Sequence, residues 1–152
     1  HKTCERIIQN MPPVNLSIGN NKSIYMYYNW KRAYELMKQY ENENNITYDI
    51  VIYLRADMVI SSPIKFDVDV QENTVYIPEG NDWCNGLNDQ MAIGKNDTMK
   101  IYCNIIDCID TIYQKYSSHF HTETYVKQNM AVHGIKVERF KMNYELHKFR
   151  RT

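Results

Sequence analysis

Two acidic residues stand where a chain of this kind can do chemistry. The run Tyr48–Leu54 (YDIVIYL) is apolar and β-branched, which predicts a strand buried on both faces, and it is followed at once by Arg55-Ala56-Asp57. In open α/β sheets ligands gather beyond the carboxyl ends of strands, so Asp57 is placed to hold Mg²⁺ or Mn²⁺, which would bridge phosphate oxygens and offset charge on a departing diphosphate. The plain alternative is a loop aspartate paired with Arg55.

The second feature is the long loop over residues 79–94, EGNDWCNGLNDQMAIG. Irregular connections of this length in small domains usually serve a function. Trp83 offers a flat apolar face for a sugar ring, and Asp82, Asn85 and Asp89 offer acceptors for hydroxyl groups. A tryptophan that only plugs the edge of the core is the competing reading.

These residues need a scaffold, and the hydrophobic pattern predicts one. Residues 1–24, with Pro12-Pro13 and Gly19-Asn20-Asn21, read as an irregular arm, and the core spans 25–152. Trp30, Ala33, Tyr34, Met37 and Tyr40 recur at helical spacing over Tyr27–Glu43. YDIVIYL is then the central strand. A weak edge segment after Pro63 precedes a short strand at Thr74–Ile77 and an apolar piece at Gln90–Ile93. Asn96-Asp-Thr-Met predicts the cap of one long helix reaching Tyr116, with Met99, Ile105, Ile106, Ile109 and Ile112 on its apolar face. A second helix runs from Thr122 to a left-handed cap at Gly134, and Ile135–Phe140 alternates as a strand. Helices interleaved with strands predict a single α/β domain.

At this point the chain resembles the GT-A-fold glycosyltransferases encoded by large DNA viruses and some bacteria. The resemblance rests on strand-Arg55-Ala56-Asp57, then Asn88-Asp89-Gln90-Met91-Ala92-Ile93-Gly94, then a helix bearing Met99 and Tyr102, and it covers roughly residues 27–151. It implies a GT-A-like (nucleotide-diphospho-sugar transferase) sandwich with a mixed central sheet, and transfer of a hexose or deoxyhexose from a UDP- or GDP-sugar to a glycan with Mn²⁺ or Mg²⁺. Asp57 matches the last acid of the family's short metal-binding motif, whose first acid is replaced here by Arg55. Asp89 matches a position that touches the acceptor or acts as general base, Gln90 would orient it, and Glu123 resembles an acid near the cleft and is an alternative base. The family opens with a strand and a nucleotide-holding turn. Nothing in residues 1–23 resembles these, so the expectation is a fold lacking its N-terminal strand in this chain.

His119-Phe-His121-Thr-Glu123 has a spacing that metal ligands can use, but a capping and surface role fits better. His147, Lys148, Arg150 and Arg151 form a basic cluster able to close over a diphosphate, with a solvated tail as the alternative. Cys4, Cys84, Cys103 and Cys108 show no zinc-ligand spacing, Cys103 and Cys108, five apart in a helical stretch, read as packing thiols rather than a pair, and a reducing, cytoplasmic setting fits best. Four glycosylation sequons, at Asn15, Asn21, Asn45 and Asn96, are discounted as chance matches in an asparagine-rich chain. Eighteen basic residues balance eighteen acidic ones, and thirteen tyrosines lie without a basic stripe, which argues against nucleic acid. No apolar run is long enough to span a bilayer. The rival from another class is a carbohydrate-binding module derived from such an enzyme but without catalysis. A phosphatase with an aspartate nucleophile fits poorly, because its second acid would fall at Val59.

Overall fold

Apolar residues of the amino-terminal helix set the architecture. Ile24, Tyr27, Trp30 and Tyr34 sit at three- and four-residue steps and are all buried. The computed structural model describes residues 18–147 apart from 62, 65, 118 and 119, and of residues 18–22 the backbone alone. Helix α1 spans Ile18–Asn44. It therefore starts earlier than the sequence pattern predicts, and Gly19-Asn20-Asn21 lies within it rather than in an irregular arm. Packing of the face that Ile24 and Tyr27 begin outweighs the roughly 1 kcal/mol a helical glycine costs.

Asn45 takes a left-handed conformation (φ 51°) and ends the helix. The buried carboxylate of Glu41 fixes the turn that follows: it accepts from the Tyr48 amide (2.7 Å) and from Asn96 Nδ2 (2.9 Å), and it pairs with Lys38. Strand β1 (Ile50–Leu54) then returns antiparallel to α1, so that Trp30 meets the Tyr53 ring at 4.5 Å.

The remaining elements are β2 (Met58–Ile60), β3 (Thr74–Pro78), β4 (Met91–Lys95), α2 (Asn96–Cys103), α3 (Ile109–Tyr116), α4 (Thr122–Val132), β5 (Lys136–Phe140) and β6 (Tyr144–Leu146). The main sheet is mixed and has four strands in the order β1-β4-β3-β5: β4 is antiparallel to both neighbours, and β3 and β5 are parallel. β2 and β6 form a separate antiparallel pair. This is an α/β architecture, as the interleaved pattern implies.

One face of the sheet, carrying Val51, Ala92, Val75 and Ile77, packs on the helices in a core with Trp30, Met99, Tyr102, Ile105, Ile106, Ile109, Ile112, Tyr125 and Met130. Trp30 stacks on Tyr102 with centroids 5.3 Å apart and planes within 8°. The other face carries Tyr76, Met91 and Ile93 and is covered by Val70, Ile64, Phe66, Phe140 and Met142.

Three sequence expectations need correction. Among the described residues β1 is an edge strand, not the central one. Val51 and Tyr53 turn inward, but Ile50, Ile52 and Leu54 are 43–57% exposed, so an apolar run marks a half-covered edge here. The predicted long helix is broken at Asn104 by a short 3₁₀ turn (Ile105–Cys108), although its apolar residues are buried as expected. Asn96 does not cap α2: its side chain reaches back to Glu41 and the Tyr48 carbonyl and accepts from Tyr34 Oη at 2.6 Å. By contrast, α4 ends as expected at a left-handed Gly134 (φ 66°), and β3 and β5 form where predicted. The weak segment after Pro63 forms no strand among its described residues.

Candidate functional site

Pairing of β1 with β4 brings the two sequence motifs together. Leu54 lies opposite Met91, so the residues just beyond, Arg55 and Gln90, are also opposed, and the Arg55 amide donates to the Gln90 carbonyl at 2.9 Å. Asp57 and Asp89 therefore meet at one end of the sheet, with the Arg55 guanidinium between them. Arg55 donates through Nε and Nη2 to the two Asp57 oxygens (2.8 and 2.6 Å), and its Nη1 stands 4.0 Å from Asp89 Oδ1. Arg55 and Asp57 are partly exposed, whereas Asp89 is only 4% exposed.

Burial dominates the electrostatics of Asp89. It pushes the carboxyl up to about 6, the Glu123 charge adds to the rise, and Arg55 and His121 oppose it. Asp57 moves the other way: its bidentate bond to Arg55 holds it below the usual carboxylate range. Two carboxylates on one guanidinium thus have pKa values driven apart, a frequent mark of functional sites. Burial also raises the phenols of Tyr27 and Tyr53, and the Asp89 charge adds to the rise of both.

Glu123 enters the cluster from the first turn of α4 and is nearly buried. Its Oε2 stands 2.9 Å from His121 Nδ1. The sequence-based assignment of His121 to a capping role therefore changes: α4 has no side-chain cap, and His121 pairs with the acid two residues on.

The loop from residue 79 to 90 is a built structure. Gly80, Asn81, Cys84 and Asn85 all have positive φ (84°, 56°, 50° and 56°). Three non-glycine residues in that region within five positions are costly, and such strain persists only where surroundings enforce it. The enforcing contacts come from α4 and β5. Thr124 Oγ1 donates to the Cys84 carbonyl (2.9 Å), Lys127 Nζ to the Asn85 carbonyl (3.0 Å), and the Leu87 amide to the Glu123 carbonyl (2.9 Å). Gly86 lies flat against the start of α4, where a Cβ would fall 2.1 Å from the Glu123 carbonyl carbon.

Asp82 accepts from the Asn88 amide (2.9 Å) and from Arg139 (2.9 and 3.1 Å), so it braces the loop rather than facing a ligand. Fully buried Asn88 donates to the Gly80 carbonyl and to Tyr144 Oη, and accepts from the Gln90 amide. Trp83 is 63% exposed at the tip, which removes the reading of it as a core plug. Asn85 is exposed too, but Lys127 also contacts its side-chain oxygen at 3.2 Å. Gln90 is buried, and its Oε1 has no hydrogen-bond partner among the described residues.

The site thus gathers Arg55, Asp57, Asp89 and Glu123, with Gln90 buried beside Asp89. Trp83 and Asn85 sit out on the loop. Arg150, with Lys148 and Arg151, lies outside the described residues, as do His119, Cys4 and the sequon at Asn15. His147 is described, and its amide donates to the Asp57 carbonyl at 2.7 Å. Sequence reading missed the bracing roles of Arg139, Asn88, Tyr144 and Gly86, which hold the loop, and the influence of the Asp89 charge on Tyr27 and Tyr53. Of these, only Gly86 carried a local signal, as a glycine within a long loop.

The surroundings of Asp57 do not fit a resident divalent cation. Both of its oxygens are taken by Arg55, and among the described residues no three His, Cys, Asp or Glu side chains are grouped to hold a metal. Cys84, Cys103 and Cys108 are free thiols, and burial raises that of Cys103 to about 12. Among the described residues no helix is long and apolar enough to cross a membrane.

Residues 19–151 match the family model described as a domain of unknown function, DUF7796, and the chain belongs to that family. No curated protein and no solved structure matches the chain.

Proposed function

We propose that this DUF7796 chain is a glycosyltransferase of GT-A type that moves a hexose or deoxyhexose from a nucleotide-sugar donor to a glycan acceptor. The observation that carries the reading is the shared guanidinium: the R-x-D turn after β1 and the D-Q pair before β4, far apart in sequence, converge on Arg55 with their carboxylates in opposite electrostatic states. Two acids flank one arginine, and Glu123 stands close enough to raise the Asp89 carboxyl. Such a cluster suits a neutral, hydroxyl-rich ligand, whose O–H groups carboxylates accept and whose oxygens a guanidinium meets.

In this reading the ionised Asp89 takes the proton from an acceptor hydroxyl as that oxygen bonds to the anomeric carbon and the carbon–diphosphate bond breaks. Glu123 tunes Asp89 or serves as the alternative base. Gln90, with its buried unpartnered oxygen, orients the hydroxyl, and Trp83 stacks on a sugar ring with Asn85 beside it. Arg55 and Asp57 face the donor, and Arg150, outside the described residues, is assigned to the diphosphate.

One observation favours the second reading, a carbohydrate-binding module without catalysis: the carboxylate expected to meet the donor is engaged on both oxygens by Arg55. A ligand that binds only the native state raises its melting temperature, so thermal unfolding with UDP- and GDP-sugars, with and without Mn²⁺, and with oligosaccharides separates the two. Stabilisation by a donor, donor turnover, and loss of that turnover in Asp57→Ala with the fold intact are the expected results. Stabilisation by oligosaccharides alone establishes the binder, and full activity in Asp57→Ala overturns the roles assigned here.

A further inference from the structure

Outside the Arg55 cluster, the helical layer holds a thiol against an imidazole. Cys108 closes the 3₁₀ turn between α2 and α3, and His133 is the residue just past α4. Their side chains meet with Sγ 3.7 Å from Nε2. The imidazole is held by its other nitrogen. His133 Nδ1 stands 2.9 Å from the Asn129 carbonyl, which can only accept, so Nδ1 carries the proton of the neutral ring and Nε2 turns its lone pair to the thiol. Asn129 is fixed in turn: it is fully buried, its Nδ2 donates to the Ile101 carbonyl (3.1 Å) and ties α4 to α2, and its carbonyl also accepts the His133 amide (3.2 Å). Nucleophile, base and a group that orients the base therefore follow one another, the arrangement by which side chains are activated for covalent chemistry.

The pair opens on a cavity of about 500 Å³ whose walls include Lys100, Ile101 and Asn104, a size that suits a small molecule. Cys108 is half-buried and His133 is exposed, so the sulfur can be reached. Burial and the charge of Asp107 push the thiol up, which keeps it as S–H at neutral pH. Oxidation runs through the thiolate and is disfavoured here. A thiol that gives up its proton only as it attacks needs a base in contact with it, and His133 Nε2 is in that position.

We infer that Cys108 is a nucleophile for acyl transfer, which takes the acyl group of a small thioester in this cavity with His133 as its general base. The sulfur attacks the carbonyl carbon while its proton passes to Nε2. As the tetrahedral intermediate collapses, the bond from that carbon to the donor's sulfur breaks, and the leaving thiolate recovers the proton from the imidazolium. Cys108 ends as a thioester and the donor as a free thiol, so no oxidant or reductant is needed. Ile101 gives the acyl group an apolar wall. None of the residues assigned to sugar transfer takes part, and the inference stands without that reading.

Acetyl transfer from S-acetyl-N-acetylcysteamine to the full chain, followed site by site by peptide mass spectrometry, tests it, with the exposed Cys84 as internal reference. Cys108 is expected to be acetylated at least about tenfold faster than Cys84. His133→Ala should slow Cys108 by about a hundredfold and leave the rate at Cys84 and the melting temperature unchanged, and added imidazole should restore much of the loss. Acetylation of Cys108 no faster than that of Cys84 overturns the inference. So does a Cys108 rate that His133→Ala leaves unaltered, or a loss that imidazole does not reverse.

Discussion

Asp89→Asn removes a charge that the fold disfavours, and the structure gives the size and sign of the effect. The Asp89 carboxyl is raised to about 6 by burial and by Glu123, from an ordinary value near 3.8. An acid whose folded pKa lies above its unfolded one holds its proton more tightly when folded. The penalty is therefore absent below the unfolded pKa, grows as pH rises from about 4 to about 6, and is full above that. About two pKa units, a net shift that already includes the favourable contact with Arg55, correspond to roughly 3 kcal/mol of destabilisation at neutral pH. Asn keeps the shape without the charge, so at pH 7.5 the variant should be more stable by roughly 3 kcal/mol, and at pH 4 the two proteins should be nearly equal. Urea unfolding at both pH values measures this. Activity should move the opposite way: transfer rises with pH through an apparent pKa near 6 in the native protein and is lost in Asp89→Asn, the expected exchange of stability for function. A variant less stable at pH 7.5, or a stability difference that does not change with pH, would refute the assigned burial and charge state of Asp89.

The loop and its tip give two further tests. Gly86→Ala places a Cβ 2.1 Å from the Glu123 backbone, so it should cost about 3 kcal/mol or more in urea unfolding, whereas Gly80→Ala, with open space around it but φ +84°, should cost only about 1 kcal/mol. Equal costs would mean that the loop is not seated on α4. Trp83→Ala, at an exposed tip, should change stability by less than about 0.5 kcal/mol and weaken oligosaccharide binding roughly tenfold in calorimetry, and unaltered affinity would remove Trp83 from the site.

Local pattern served the helices and inner strands well because burial there follows period. Met99, Ile105, Ile109 and Ile112 are buried as their spacing predicts, and Gly134 ends α4 as a left-handed cap. The pattern misled at β1, since a continuous apolar run has the same composition whether the strand is covered on two sides or left at an edge. It also misled at Gly19-Asn20-Asn21, where local propensity argues for a break and the buried Ile24 and Tyr27 decide otherwise. At the site, Arg55, Asp57 and Asp89 could be picked out by their positions at strand ends. Their grouping could not, because it follows from the β1–β4 register. The bracing of the loop by Arg139 and Tyr144 depends on contacts more than fifty residues apart in sequence, which no local signal carries.

The site depends on β1. Its inward residue Tyr53 packs on Trp30, its phenol feels the Asp89 charge, and the turn that follows the strand carries Arg55 and Asp57. Arg55 is now satisfied by Asp57 and Asp89, so a ligand must offer more than those two carboxylates to draw it away.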